Sequence, residues 1–124
     1  MSKKVGGSET WIVNNDKYCG KILSFEKDKK FSIHYHKDKD EVFYVRKGKL
    51  KLGWCDIDQK TSESSPDLLT LVMSKLQIEV LEIGDAFHIP PYRVHFALAL
   101  EDSEVYEFST HHEEADSYRI LKGD

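Results

Sequence analysis

The most informative stretch of the chain is residues 31–45, FSIHYHKDKDEVFYV, in which two short alternating runs flank a charged turn. On a β-strand, side chains two residues apart point to the same side, so His34 and His36 share a face and Tyr35 points away. After the turn at residues 37–40 the chain returns, and a hairpin of this length brings Glu41 beside the two histidines. Two imidazoles and a carboxylate around one point form a ligand set for a divalent transition metal. The alternative is a pair of solvated histidines on an edge strand.

Outward from this hairpin, apolar and polar side chains alternate along most of the chain, which is the pattern of half-buried strands. The pattern predicts strands at residues 10–14, 18–26, 30–36, 41–46, 49–55, 68–73, 77–82, 85–89, 94–101 and 104–110. Turn residues separate these runs, so we expect an all-β sandwich or barrel. Residues 58–67, DQKTSESSPD, are predicted as an exposed loop. For residues 113–124 the pattern leaves open a short helical turn or an extended tail.

Length and charge exclude several classes of protein. The 124 residues suit a single domain, residues 1–124. Eighteen Lys and Arg interleave with 22 Asp and Glu for a net charge of −4, which argues against a nucleic-acid partner. No apolar run approaches the roughly 20 residues that span a bilayer, and the first ten residues lack a signal-peptide core. We therefore expect no membrane partner, a cytoplasmic location and two reduced thiols, Cys19 and Cys55.

Two spaced motifs resemble those of the cupin superfamily. The first is HYHKDKDEVFYVRKG at residues 34–48, and the second is GDAFHIPPYRVH at residues 84–95. The matching positions are His34, His36, Glu41, Gly48, Gly84, Pro90 and His95. The resemblance implies a double-stranded β-helix, or jelly-roll, barrel. It also implies that one metal ion is held by His34, His36, Glu41 and His95.

The chain departs from the cupin motifs at three positions. Asp28 and Tyr92 stand where the motifs usually have Gly, and Ala99 stands where the second motif often ends in Asn. The first two departures concern turn geometry, and none removes a metal ligand. Three imidazoles and one carboxylate suit manganese, iron, nickel, cobalt or zinc, whereas magnesium and calcium prefer an all-oxygen shell. An octahedral ion held by four side chains keeps two open positions for a substrate or dioxygen.

Three further residues are candidates for binding or catalysis. Lys21 shares a strand face with core residues, so it either reaches a polar cavity or extends to solvent at a strand end. Glu107 is either a carboxylate base near the metal or an outward side chain between core-facing Tyr106 and Phe108. Arg119 either closes over one end of the barrel or pairs with Asp116 on the surface.

The remaining histidines are predicted to lie outside the site. Alternation places His88 opposite in direction to its apolar neighbours, on the outer face. His111 and His112 follow the last predicted strand, where solvent exposure is the default for loop histidines.

A closer resemblance is to the cupin domain of type II mannose-6-phosphate isomerases. It rests on residues 21–48 and on the ending YEFSTHHEEADSYRI, residues 106–120. The matching positions are Lys21, Ser32, His34, His36, Glu41, Glu107, Ser109, Asp116 and Arg119. That family commonly has Gln at the position of His34, and a set of three histidines and one Glu is more like other metal-dependent cupin sugar isomerases.

The resemblance implies aldose–ketose isomerisation of a sugar or sugar phosphate. The metal would bind the carbonyl and a neighbouring hydroxyl oxygen and so acidify the hydrogen on C2. Glu107 would move the proton, and Lys21 and Arg119 would bind a phosphate or polarise an oxygen. The alternatives are an iron-dependent dioxygenase or a metal-dependent lyase on the same ligands, and a non-catalytic cupin that binds a small molecule.

A homodimer is also expected. Tyr35, Val42 and Tyr44 alternate away from the predicted metal side. A row of apolar and aromatic side chains on the outside of a small protein needs cover, which a second copy would supply.

Overall fold

A computed structural model describes residues 2–4, 7–64 and 67–121. Eleven strands account for most of this part of the chain. They are β1 (Ser2–Lys4), β2 (Gly7–Asn14), β3 (Cys19–Phe25), β4 (Ile33–His36), β5 (Glu41–Lys47), β6 (Lys49–Asp56), β7 (Gln77–Glu82), β8 (Ala86–Ile89), β9 (Arg93–Ala99), β10 (Ser103–Ser109) and β11 (Ser117–Leu121). Two short helices, α1 (Gln59–Ser64) and α2 (Leu68–Lys75), join β6 to β7, and a 3-10 turn spans Glu114–Asp116.

The strands form two antiparallel sheets. The first has six strands in the order β1-β2-β3-β10-β5-β8, and the second has five in the order β11-β4-β9-β6-β7. Chain neighbours often lie in different sheets, which is the connectivity of a jelly roll. The predicted all-β jelly-roll fold is confirmed.

The main hydrophobic core lies between the two sheets. It is built from inward-facing side chains that alternate with outward polar ones along each strand, as the period-two pattern predicts. Its fully buried members include Val45, Leu50, Leu52 and Val105. Packing one end of the barrel with apolar side chains leaves the other end free for polar groups.

Helix α2 covers the outer face of the five-stranded sheet, and the strand predicted at residues 68–73 is wrong. The Asp67 side chain caps the helix by accepting a hydrogen bond from the Thr70 amide. Val72 is fully buried in a second cluster that includes Tyr35. An eight-residue helix offers too few turns to show helical periodicity. The loop predicted at 58–67 likewise contains α1.

This second cluster also corrects one expectation about the surface. Tyr35 is 5% exposed and stacks on Tyr118 of the same chain. It therefore cannot belong to an exposed apolar row that needs a partner. For the C-terminal end, the sequence pattern left open a helical turn or an extended tail, and the structure contains both, as a 3-10 turn followed by β11. Residues 122–124 lie outside the described part of the chain.

Four tight turns adopt left-handed backbone conformations at the positions where the cupin motifs place glycine. Gly48 and Gly84 have φ of 87° and 91°, and Asp28 and Tyr92 have φ of 70° and 66°. At Gly48 a Cβ would also lie 2.4 Å from the Asp102 carbonyl oxygen. The two non-glycine residues therefore preserve the turns and carry the steric cost of a left-handed conformation.

Two other expectations concern the cysteines and the membrane. Both cysteines are buried free thiols. Among the residues that the structure describes, no helix is long and apolar enough to cross a bilayer.

Candidate metal centre

Three histidines meet at one end of the barrel interior. His34 and His36 lie on β4, and His95 lies on the neighbouring strand β9 directly opposite His34. One ring nitrogen of each lies within 4.8 Å of the others. The alternating strand geometry thus places all three rings on the inner face of the five-stranded sheet.

The outer ring nitrogen of each histidine is held by a backbone carbonyl oxygen. The Nδ1 atoms of His34, His36 and His95 lie 2.9, 3.0 and 2.9 Å from the carbonyl oxygens of Ser32, Asp116 and Arg93. A carbonyl oxygen only accepts, so each Nδ1 carries the proton and donates it. Each Nε2 is left with its lone pair, which is the form that binds a metal.

Glu41 approaches the histidines from the facing sheet. Its Oε2 lies 3.4 Å from Nε2 of His36, and its side chain is 2% exposed. Sequence reasoning placed Glu41 in a hairpin with the histidine strand, but that part is wrong. Strand β4 pairs with β9 and β11, whereas β5 pairs with β8 and β10, so the turn at 37–40 crosses between sheets.

The donor atoms at this point fit a divalent cation. Within the described residues, Glu41 Oε2 and His95 Nε2 are buried without a hydrogen-bond partner. Leaving a buried polar atom unpaired is costly, and a cation held by the three histidine Nε2 atoms would satisfy His95. Glu41 lies beside His36 and would join this set as the carboxylate ligand. Nitrogen and carboxylate donors in this ratio suit a transition metal.

Burial controls the protonation of the site. Burial, together with a neighbouring imidazole, lowers the pKa of His34, His36 and His95 to about 3. Burial and the Glu107 carboxylate raise the pKa of Glu41 to about 8, against the opposing effect of Lys39 and Lys21. The histidines are therefore neutral at pH 7, ready to act as ligands.

Lys39 is a site residue that sequence analysis missed. Its Nζ lies 2.6 Å from Glu107 Oε2, 3.6 Å from Glu41 Oε2 and 2.9 Å from His112 Nδ1. Burial would lower its pKa, but Glu41 and Glu107 outweigh burial and raise it. In the sequence, Lys39 sits in the charged run KDKD, which is typical of a solvated turn, and only its buried partners mark it as different.

Glu107 points into the barrel. It is 5% exposed, whereas Phe108 beside it is 57% exposed, so the expected core face of β10 at Tyr106 and Phe108 is wrong. Burial raises the pKa of Glu107, but Lys39 and Lys21 outweigh it and hold the pKa below its usual value. The inward face of β10 therefore carries a carboxylate that stays ionised.

Lys21 reaches the cavity rather than solvent. Its side chain is 2% exposed, with Nζ 3.7 Å from Glu9 Oε2 and 3.9 Å from the centre of the Trp11 ring. Trp11 in turn donates a hydrogen bond to Glu9. Lys21 is thus a fixed positive charge in the cavity wall.

Arg119 lies at the cavity mouth, next to His34 across β11 and β4. The structure does not bring it together with Asp116 in an ion pair; Asp116 is buried and accepts backbone amides instead. Within the described part of the chain, no carboxylate pairs with Arg119. Its guanidinium is exposed at the cavity entrance.

The other three histidines differ in how far they are exposed to solvent. His88 lies outside, paired with Asp40, as predicted. His111 is partly exposed beside Asn15, close to the default expectation. For His112 the expectation of solvent exposure is wrong, because its side chain is only 9% exposed and lines the cavity between Lys39 and Glu114.

The cavity in front of these groups has a volume of about 350 Å³. One wall is apolar and is formed by Leu23, Phe25, Phe31 and Phe43. A charged wall adjoins it, partly on the same strands, and is formed by Glu9, Lys21, Lys39, Glu41 and Glu107. A pocket of this size holds a small molecule.

Comparisons with known proteins agree with this fold. A search of curated proteins found no matching sequence. KdgF from Halomonas sp. is 20% identical with a TM-score of 0.66, over 89% of this chain and 83% of that one. L-ribose isomerase from Cellulomonas parahominis is 13% identical with a TM-score of 0.72, over 92% and 69%. Oxalate decarboxylase from Bacillus subtilis is 16% identical with a TM-score of 0.69, over 97% of this chain and 29% of that one.

The sequence model of the family described as Cupin matches residues 12–121. This span includes both motifs, all four proposed metal ligands and every strand from β3 to β11. The chain belongs to the cupin family.

Proposed function

We propose that this cupin is a metal-dependent aldose–ketose isomerase acting on a sugar or sugar phosphate. The observation that carries the proposal is the convergence of three Nε2 lone pairs and the Glu41 carboxylate at the floor of a sugar-sized cavity. His34, His36, His95 and Glu41 would hold manganese, iron, nickel, cobalt or zinc. When bound, such an ion acts as a Lewis acid toward substrate oxygen atoms.

Glu107 is the proposed base. It faces the cavity as an ionised carboxylate, because Lys39 lies 2.6 Å away and favours its charged form. An ionised carboxylate can take the proton from C2, next to the aldose carbonyl, and return it to C1. The isomerisation is complete when the hydroxyl proton on O2 also moves to O1, through solvent or a polar side chain.

Three cations hold or balance the substrate in this proposal. Lys21 is held in place by its ion pair with Glu9 and its contact with the Trp11 ring, so its positive charge acts on the substrate by electrostatic attraction and not by direct binding. Lys39 keeps Glu107 charged. Arg119 is free to bind an anionic or hydroxyl group of the substrate at the mouth, because no carboxylate in the described residues competes for it.

The apolar wall supports a sugar-like ligand. Phe25 and Phe31 stack with ring centres 5.3 Å apart and border the cavity. A sugar ring has a C–H face that packs on aromatic rings and hydroxyl groups that meet polar side chains. The likeness to L-ribose isomerase supports the same class of reaction.

A second candidate uses the same ligands for a lyase, decarboxylase or dioxygenase reaction. The likeness to oxalate decarboxylase favours it, because the TM-score of 0.69 is close to that of L-ribose isomerase. The unpaired Arg119 could bind the carboxylate of an acidic substrate equally well.

The test is a screen of the protein loaded separately with each metal, against free and phosphorylated aldoses and ketoses in D₂O. Isomerisation by proton transfer puts deuterium on C1 of a ketose formed from an aldose and on C2 of an aldose formed from a ketose, which NMR detects, and it proceeds equally with and without oxygen. Glu107→Gln should lower kcat at least about 100-fold, in the range for loss of a general base. The matched control Glu104→Gln lies on the same strand but faces outward, paired with Arg46, and should leave kcat unchanged.

Three results would contradict the isomerase proposal. Oxygen consumption with a metal-loaded sample would identify a dioxygenase. Loss of carbon dioxide or another fragment from an acidic substrate, without deuterium on C1 or C2 of any sugar, would identify the lyase candidate. Tight sugar binding without turnover would leave a non-catalytic cupin.

A further inference from the structure

Asp116 connects the C-terminal 3-10 turn to the loop that separates two of the proposed metal ligands. Its Oδ1 accepts hydrogen bonds from the amides of Lys37 and Asp38, at 2.9 and 3.2 Å. Its Oδ2 accepts from the amides of Asp38 and Lys39, at 3.2 and 3.0 Å. Three consecutive backbone amides thus converge on one buried carboxylate, and bonds to a charged acceptor are stronger than neutral ones.

The backbone of the same residue holds a ligand. The carbonyl oxygen of Asp116 accepts the proton on Nδ1 of His36, at 3.0 Å. This bond fixes the tautomer and the ring plane of His36, as partners of metal-binding histidines commonly do. The Asp116 amide is itself held by the Glu113 carbonyl, so the carbonyl has a defined position.

Both sets of hydrogen bonds help to set the distance between His36 and Glu41. These two ligands come from facing sheets, and residues 37–40 form the connection that crosses between them. No β-ladder joins the two strands to set their spacing. The Asp116 carboxylate restrains this connection, and the Asp116 carbonyl restrains the ring at its start.

We propose that Asp116 is a positioning residue for the metal centre, its carboxylate fixing the 37–39 loop between the sheets and its carbonyl oxygen orienting the His36 ring. This role rests on the metal centre of the proposed function but not on the reaction. The carboxylate also places Lys39, whose amide it binds, against Glu107. One residue, distant in sequence, therefore organises both the ligands and the charged wall.

The test compares Asp116→Asn with Asp38→Asn. Asparagine keeps the shape at position 116 but replaces one acceptor oxygen by a donor that faces backbone amides. Asp38 is in the same loop with an exposed side chain, so its substitution is the matched control. We expect Asp116→Asn to weaken zinc or manganese binding by about 10- to 100-fold, measured by chelator competition, and Asp38→Asn to leave it unchanged.

Two metal-independent readouts accompany the affinity. Hydrogen exchange at the amides of residues 37–39 should speed up in Asp116→Asn, and ¹⁵N NMR of His36 should show loss of the single Nδ1–H tautomer. If Asp116→Asn does not fold, Asp116→Glu keeps the charge, displaces the carboxylate by one methylene and should show the same changes to a smaller degree.

Wild-type metal affinity in a folded Asp116 variant would overturn the proposal, as would unchanged exchange at residues 37–39. A wild-type protein that binds no metal overturns the metal centre and this role with it. A wild-type protein that binds metal but turns over no sugar overturns only the isomerase proposal and leaves the role of Asp116 standing.

Discussion

The three histidines of the metal centre should make the stability of the metal-free protein depend steeply on pH. Each has a pKa of about 3 in the folded protein, against an unperturbed value of about 6.5. Below pH 6.5 the unfolded chain therefore binds more protons than the folded one, and acidification favours unfolding. Each histidine changes the free energy of unfolding by about 1.4 kcal/mol per pH unit in this range, and the three together change it by about 4 kcal/mol per pH unit.

Glu41 acts in the opposite direction. Its pKa rises from 4.5 to about 8 on folding, so between these values the folded protein holds a proton that the unfolded chain has lost. Between about pH 4.5 and 6.5, the proton that Glu41 holds in the folded state offsets one of the three protons that the histidines bind in the unfolded state. The stability therefore rises by about 2.7 kcal/mol per pH unit in this range. Above pH 6.5 Glu41 is the one of these four groups that still binds protons differently in the folded and unfolded states, and it lowers stability by about 1.4 kcal/mol per unit up to pH 8. The metal-free protein should therefore be most stable near pH 6.5.

Urea unfolding followed by tryptophan fluorescence, with a chelator present, measures this profile. Stability should be about 2 kcal/mol lower near pH 5.5 than near pH 6.5, because the histidines of the unfolded chain are only half protonated at pH 6.5 and the full slope applies at lower pH. This is a measurable part of the 5–15 kcal/mol typical of a domain. His95→Phe should halve the acid slope, because it removes one of two net protons. His88→Gln should not change it, because that ring lies exposed on the outer face. Saturating zinc should abolish the decline above pH 6.5 by holding Glu41 as a carboxylate. Equal stability at pH 5.5 and pH 6.5 would contradict the burial of three neutral histidines in the folded protein.

Four further outcomes can be checked separately. His95→Ala should lose most of the bound metal by elemental analysis while His88→Ala keeps it; a full metal equivalent in folded His95→Ala would disprove the ligand set. Lys39→Met should destabilise the protein by about 3–5 kcal/mol in urea, because it leaves the ionised carboxylate of Glu107 buried without its nearest cation, and unchanged stability would contradict the pairing. Asp28→Gly should raise stability by up to about 1 kcal/mol in thermal unfolding, since it relieves a left-handed residue, and a lower Tm would count against that cost. We propose a homodimer through the outer face of the six-stranded sheet, so Phe108→Glu should give a monomer by sedimentation, and a wild-type monomer at high concentration would exclude it.

Much of the fold was predictable because alternation is a local property. Every predicted strand except residues 68–73 overlaps an observed one, since the apolar face of a strand shows within five or six residues. Helix α2 was missed because eight residues present only about two turns, and leucines in a row read equally well as a buried strand. Its helical conformation depends on the Asp67 cap and on burial of Val72 against the sheet.

The candidate site was predictable to a different degree for each residue. The spacing of His34 and His36 places them on one face by strand geometry alone, whereas the inclusion of His95 came from the resemblance to cupin motifs. The orientation of Glu107 was ambiguous, because alternation gives two faces and apolar neighbours suggest the wrong one as inward. Lys39 offered no signal in a charged turn, since its burial depends on Glu107 and His112, which are about 70 residues away.

The charges of the cavity link these separate findings. The buried wall holds three carboxylates, Glu9, Glu41 and Glu107, and two ammonium groups, Lys21 and Lys39. Because the pKa of Glu41 is about 8, the wall is close to neutral at pH 7 when Glu41 keeps its proton. A divalent cation would displace that proton and leave the wall with one net positive charge. A single positive charge matches a substrate that becomes negative by losing one proton, which is what the proposed isomerisation requires of the sugar. The raised pKa of Glu41 and the lowered pKa of Glu107 are then two parts of one arrangement, in which Lys39 keeps the base charged and the ligand carboxylate is charged only with the metal.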